Sequence, residues 1–369
     1  MKKSLFIMAL GAIALTSCSQ DEIIEVQKDA ISFAAFSDNA SRATETTTAT
    51  IESFKVWGVV NENGNNISYF DPDGVVLNVT ANQMNIASGY YWPTGTMDFY
   101  AVSPANIANA SLGTPSAFAT NSAGIADVVV ANANTQTDIL YALTTGQTKT
   151  TADVPLSFQH ALSQVVFKVK IAEDVQQKIE VKINDVTLSK LVKKGSFAFP
   201  KTATTSDGVG SWTLSEEAED LLDYMIAPNA TIENYTEDGE GALVNNVSAE
   251  TEPMLVLPQA KAIAATQSAG VWDSNGLFIL DTTVAAKYDR EGIAGDYETS
   301  INLVNTPTYI PVTFNWEPGK KYIYTIVYTA AGNGGVDQNG NNQLLPIKFS
   351  VEVEDFAATT PAETPVPLQ

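Results

Sequence analysis

The sequence predicts an all-β protein built from two tandem β-sandwiches. Three observations carry that expectation. Runs rich in Val, Ile, Thr, Tyr and Phe recur with polar residues at alternate positions, the period of a sheet with one wet face. Clusters of Asn, Gly and Asp separate those runs and supply turn chemistry. The length of 369 residues suits two domains, and the Thr/Ser/Gly-rich stretch from Pro200 to Ser211 offers a break between them. Neither heptads nor internal repeats appear.

The chain opens with Lys2 and Lys3, then an apolar run from Leu5 to Leu15 that is too short to span a bilayer. That describes a secretory leader over residues 1–17. The segment Leu15-Thr16-Ser17-Cys18 resembles the lipobox of bacterial lipoproteins, which implies that Cys18 is diacylated and becomes the anchored first residue. Cys18 is the only cysteine, so no intrachain disulfide can form. Ser19-Gln20-Asp21-Glu22 resembles the acidic tag that sends Bacteroidetes lipoproteins to the outer face of the outer membrane. The composition agrees with export. The chain is 44% hydrophobic and only 17% charged, and its formal net charge of −22 argues against nucleic acid as a partner.

From Ala30 to Phe36 the residues Ile31, Phe33 and Ala35 alternate with Ser32 and Ala34, a strand-like filler. Just beyond lies Asn39-Ala40-Ser41-Arg42-Ala43-Thr44-Glu45, small, polar and suited to a protease. Arg42 is one of only two arginines; the other, Arg290, stands between Asp289 and Glu291. The clearest later strands are Val165 to Ile171, Lys178 to Leu188, Leu277 to Val284 and Tyr322 to Thr329. One helix is expected, from Ser215 to Met225, with acids early and Leu221, Leu222 and Met225 on one side. Near the end Leu345, Ile347, Phe349, Val351 and Val353 are apolar at every second position. That pattern suits the last strand of a sandwich, a strand donated to another subunit, or both in turn. The tail from Thr359 is proline-spaced and reads as extended or disordered.

Catalytic chemistry finds little purchase. The sole histidine, His160, cannot form a multi-histidine metal site, and nothing in the sequence supplies it with a nucleophile. No P-loop, dinucleotide fingerprint or nucleophile elbow occurs. Asp337-Gln338-Asn339-Gly340 begins like a calcium loop but has Lys348 at the twelfth position, where a bidentate glutamate belongs. Asp71-Pro72-Asp73-Gly74 reads as a turn. We therefore expect no catalytic residue, no metal site and no cofactor, although a glycosidase pair of acids far apart in sequence stays open.

Several ordered segments resemble one family, the fimbrillins of Bacteroidetes. Ile31-Ser32-Phe33 followed by Ser41-Arg42-Ala43-Thr44 is similar to their extended strand and arginine processing site. Tyr91-Trp92-Pro93 with Asp98-Phe99-Tyr100-Ala101 resembles their tryptophan-proline and aromatic stretch. Phe158-Gln159-His160-Ala161-Leu162, and later Trp316-Glu317-Pro318-Gly319 with Tyr322-Ile323-Tyr324, match two further family segments.

The resemblance implies transthyretin-like sandwich domains and a pilin precursor. Its parts would be the leader at 1–17, a propeptide at 18–42 carrying the removable strand, an N-terminal sandwich at 43–205 and a C-terminal sandwich at 206–369 with a donor strand at 344–356. An arginine-specific protease would cut between Arg42 and Ala43, Ile31, Phe33 and Ala35 would leave with the propeptide, and a neighbouring subunit's strand would take their place. Partners would be other fimbrial subunits in a homo- or hetero-polymer, the outer membrane through the lipid anchor before processing, and host or bacterial surface ligands. The location implied is the exposed outer-membrane surface, then the fimbrium after maturation. The competing reading is a surface glycan-binding lipoprotein with Tyr90-Tyr91-Trp92, Trp212 or Trp272 as aromatic platforms.

Overall fold

Alternating runs become strands in the computed structural model, which describes residues 30–37, 51–62, 65–79, 86–107, 124–132, 136–175, 178–200, 209–226, 230–233, 244–246, 254–261, 267–268, 271–272, 277–289, 297–303, 307–310, 312–329 and 347–355. Among these described residues there are 26 strands, a three-residue 3-10 turn and no α-helix. The first nine strands are β1 (Ala30–Ser37), β2 (Ser53–Glu62), β3 (Asn65–Ser68), β4 (Val75–Asn78), β5 (Ile86–Tyr91), β6 (Thr96–Ser103), β7 (Gly124–Val129), β8 (Leu140–Gln147) and β9 (Val154–His160). All but β7 form one sheet in the order β3-β2-β6-β8-β9-β1-β5, with β4 also on β2.

Strands β2, β6 and β8 are buried on both faces, so they read as continuous rather than alternating apolar runs. Phe54, Val56, Phe99, Ala101, Leu140 and Ala142 point into a smaller core. Their chain neighbours Trp57, Tyr100, Val102, Tyr141 and Leu143 point into a larger one.

The remaining strands are β10 (Ser163–Ile171), β11 (Ile179–Val192), β12 (Lys194–Ala198), β13 (Ser211–Leu214), β14 (Leu221–Ile226), β15 (Ala230–Glu233), β16 (Val244–Asn246), β17 (Met254–Val256), β18 (Ala260–Lys261), β19 (Gln267–Ser268), β20 (Val271–Trp272), β21 (Phe278–Asp289), β22 (Tyr297–Leu303), β23 (Thr308–Ile310), β24 (Phe314–Asn315), β25 (Lys320–Tyr328) and β26 (Ile347–Asp355). Two sheets make a sandwich from them. One runs β16-β10-β25-β26 with β17 on β10; the other runs β14-β11-β21-β22 with β15 and β23 added. Phe167 of β10 and Tyr324 of β25 meet Phe278 of β21 edge-on, with ring centroids 5.5 and 4.9 Å away. Strands β10 and β25 pair in parallel from Gln164↔Lys321 to Ile171↔Tyr328. Thus β10 and β11, which precede the Pro200–Ser211 stretch, pair with strands that follow it.

Only Lys193 separates β11 from β12, and this carries the chain across to the outer face of the first sheet. There β7, β12 and β13 form a small sheet. Phe197 sits 4.6 Å from the Tyr141 ring, and Phe199 meets Tyr100 edge-on at 5.3 Å. Trp212 packs on Phe197 and its Nε1–H donates to Ala161 O at 2.6 Å. The second sandwich is therefore clasped onto the first sheet.

The turn before β25 makes a second tie. Trp316 stacks on Phe314 at 3.9 Å and donates from Nε1 to Tyr324 Oη at 2.9 Å. Gly319 adopts φ +69°, a conformation glycine tolerates, and its N–H donates to Leu162 O at 2.9 Å. Ser163 Oγ donates to Glu317 O at 2.8 Å, so the entrances of β10 and β25 are held together.

The helix expected from Ser215 to Met225 is overturned. Residues 215–217 form a loop, Ala218–Asp220 a 3-10 turn, and β14 follows, pairing with β11. The reason is the period. Leu222, Tyr224 and Ile226 share one strand face against the larger core, whereas Asp223 and Met225 point to solvent.

One contact in the second sandwich works against folding. A bulge between Ile183 and Asp185 sets Asp185 opposite Asp281 on β21. Burial first, then the Asp281 charge, raises the Asp185 pKa against a smaller lowering by a Thr187 hydrogen bond. A carboxyl whose folded-state pKa lies above its unfolded value destabilises the fold in full above the folded pKa, and that cost fades as pH falls from there through the unfolded value. Asp185→Asn should therefore raise Tm at neutral pH, with the gain shrinking at acidic pH. Thermal melts at the two pH values check this, and an equal gain at both would contradict it.

Candidate functional site

Strand β1 lies inside the first sheet, not at its margin. On one side it runs parallel to β9, with Phe33↔Val154, Ala35↔Leu156 and Ser37↔Phe158 in register. On the other it runs antiparallel to β5, with Ser32↔Ala87 and Phe33↔Ile86. Among the described residues β5 has no other sheet partner. Withdrawal of β1 would thus leave two strands with unpaired edges, a state that invites strand addition.

The apolar positions read in β1 face the smaller core. Ile31 and Phe33 are fully buried, Ala34 is also buried and Ala35 is half-buried. Phe33 meets Phe99 edge-on at 5.1 Å and Phe70 at 6.4 Å. Burying two such side chains contributes roughly 3–6 kcal/mol, a large share of the about 5–15 kcal/mol that holds an ordinary domain folded. Two polar contacts fix the register. Ser88 Oγ donates to Ile31 O at 2.8 Å, and Ser32 Oγ donates to the half-buried Asp153 carboxylate just ahead of β9. Neither Ser88 nor Asp153 carries a sequence signal that would have marked it, because both act across long chain separations.

Cys18, Arg42, Ala43 and Leu345 lie outside the described residues, as does the Asp337 loop. Among the described residues strand β26 sits at the margin of its sheet and pairs with β25 alone. Its register sets Ile347, Phe349, Val351 and Val353 opposite Tyr328, Ile326, Tyr324 and Tyr322, all four of them buried. Val351 packs on the larger core, whereas Val353 is 46% exposed.

Other candidate chemistry is occupied structurally. His160, the last residue of β9, places Nδ1 2.6 Å from Oδ2 of Asp138, which lies just ahead of β8, and both are nearly buried. Asp71-Pro72-Asp73-Gly74 is a turn, with Gly74 N–H donating to Asp71 O at 2.8 Å and Trp57 Nε1–H to Pro72 O at 3.2 Å. Burial pushes the hydroxyls of Tyr224, Tyr324 and Tyr328 upward, and burial with Asp98 takes Tyr100 up to about 12, so these phenols stay neutral. No group of three or more metal-ligating side chains occurs among the described residues.

The aromatic platforms proposed for a sugar are largely engaged. Tyr90 packs on Phe70 at 4.4 Å, Trp92 meets Phe99 edge-on at 5.9 Å, and Trp212 is pinned as above. Only Tyr91 of these four is exposed, and the side chain of the fifth, Trp272, lies outside the described residues.

A family model described as fimbrillin-like matches residues 41–355. Among solved structures, a fimbrial protein from Bacteroides vulgatus matches at 12% identity and a TM-score of 0.48, covering 88% of this chain and 99% of that one. A candidate cell adhesion protein from Bacteroides ovatus matches at 15% identity and a TM-score of 0.47, covering 90% and 99%. No curated protein matches the sequence.

Because Phe33 is fully buried against Phe99 and Phe70, Phe33→Ala should destabilise the uncut protein by about 3–5 kcal/mol. Denaturant unfolding measures it, and a loss below about 1 kcal/mol would mean that β1 is not an integral core strand.

Proposed function

The chain belongs to the fimbrillin-like family, and from that membership we propose that it is the precursor of a fimbrial subunit that assembles by exchanging β1 for a strand of another subunit. The observation that carries the proposal is the place of β1. It is an interior strand holding two fully buried apolar side chains, yet it is first in chain order and lies ahead of Arg42. A cut between Arg42 and Ala43 would sever it from every other described strand while leaving the sheet it fills otherwise intact.

The remaining parts follow in order. The leader at 1–17 directs export, and Cys18 carries the lipid that holds the precursor on the outer membrane surface. An arginine-specific protease removes 18–42. The emptied slot then takes a strand from a neighbouring subunit, and the finished fibre supports adhesion. Strand β26 is the natural donor, since it is marginal in its own sheet and apolar at alternate positions. The pairing of β10 and β11 with downstream strands supports a domain division at residues 161–162 in place of 205–206. On that division the N-terminal unit ends with β9, and the β12–β13 clasp belongs to the C-terminal unit.

Treatment of a chain starting at Ser19 with an arginine-specific protease should produce multimers that survive denaturing electrophoresis unless boiled. An Arg42→Ala chain should stay monomeric. A clean cut after Arg42 with no multimers would contradict assembly by exchange.

A further inference from the structure

Resting on the exchange reading above, we propose that the slot takes β26 of a second copy of this chain, running in the direction of β1 and in a single register. Ile347, Lys348, Phe349, Ser350 and Val351 occupy the positions of Ile31, Ser32, Phe33, Ala34 and Ala35, and the Lys348 ammonium faces Asp153.

The two strands share a local pattern. Ile31-Ser32-Phe33 and Ile347-Lys348-Phe349 place the same two apolar side chains around one polar position. In the slot the first and third positions are fully buried, so identical side chains refill the same two pockets. Val351 is larger than Ala35 and fills more of that half-buried position.

Ala34 decides against the other registers. Although it lies on the opposite face of β1, it is only 8% exposed, so its position accepts a small uncharged side chain and not an ion. The proposed register puts Ser350 there. Sliding the donor by two residues one way puts Lys348 there, and Pro346 at the Ser32 position, where an interior strand cannot spare an N–H. Sliding it two the other way puts Glu352 at the buried position. A slide by one residue turns the whole apolar set outward.

Charge points the same way. Asp153 already accepts a hydrogen bond from the side chain at position 32 of β1. Lysine at that position turns a hydroxyl–carboxylate contact into an ion pair. The propeptide strand therefore holds the slot with the weaker partner, and the donor strand brings the stronger one. Pairing also favours transfer: β26 has one neighbour in its own sheet among the described residues, and in the slot it would have two, β5 and β9.

Disulfide trapping reads the register. In chains beginning at Ser19 the native cysteine is absent, and Arg290→Lys confines cleavage to Arg42. Phe36 is in register with Ser157, so Glu352, which would take the place of Phe36, should approach Ser157. One chain carries Ser157→Cys and a second carries Glu352→Cys, with Ser350→Cys and Glu354→Cys as out-of-register alternatives. After cleavage and mild oxidation, the 157–352 dimer should form roughly tenfold faster than either alternative, because disulfides demand close Cα spacing. Preference for 350 or 354 would overturn the register and leave exchange standing. No dimer at any position beyond the uncut control would overturn exchange itself. A cysteine-free pair of variants tests the charge contact separately. Asp153→Lys should slow multimer formation roughly fivefold, and adding Lys348→Asp should restore it. An unchanged rate in Asp153→Lys would overturn the Asp153–Lys348 contact.

Discussion

The structure depends on a requirement of β-sheets: an interior strand must satisfy N–H and C=O groups along both of its edges. β1 meets that requirement for β9 on one side and β5 on the other, and for β5 it is the only sheet partner among the described residues. Its Ile31 and Phe33 close the smaller core at the same time. A segment that is first in sequence thus completes a sheet whose other members come later.

No described side chain of β1 belongs to the larger core, which holds the outer face of the first sheet through Tyr100, Tyr141 and Leu143. The clasp of Phe197, Phe199 and Trp212 covers that face from the second sandwich. The turn at Trp316-Glu317-Pro318-Gly319 ties β10 to β25. On the exchange proposed above, the clasp would keep β2, β6 and β8 in place when β1 is absent, so that the slot stays shaped for a replacement. The opposed burial of one sheet on two unequal cores would then separate what is exchanged from what is kept.

The legible parts of the sequence were those with one wet face. In β10, Val165, Phe167, Val169 and Ile171 alternate with Lys168 and Lys170, and the strand lies where the period puts it. β14 reads as a helix because Leu221, Leu222 and Met225 fit a helical stripe, whereas the side chains on the larger core are the buried Tyr224 and the half-buried Leu222 and Ile226. The Thr/Ser/Gly stretch after Pro200 suggested a break by composition, but composition is blind to the parallel pairing of β10 with β25. Of the slot, the apolar positions of β1 were readable and its polar fasteners were not. Ser88 and Asp153 are ordinary residues whose meaning lies in what they face.

Hydrogen exchange by mass spectrometry, on the same chain before and after cleavage at Arg42, tests the central claim most directly. Interior pairing predicts slow amide exchange in residues 86–91 and 154–158 while β1 is present. Both segments should lose protection when β1 departs and regain it as multimers form, with residues 163–171 unaffected throughout. Unchanged protection in 86–91 and 154–158 after β1 has been removed would contradict the account.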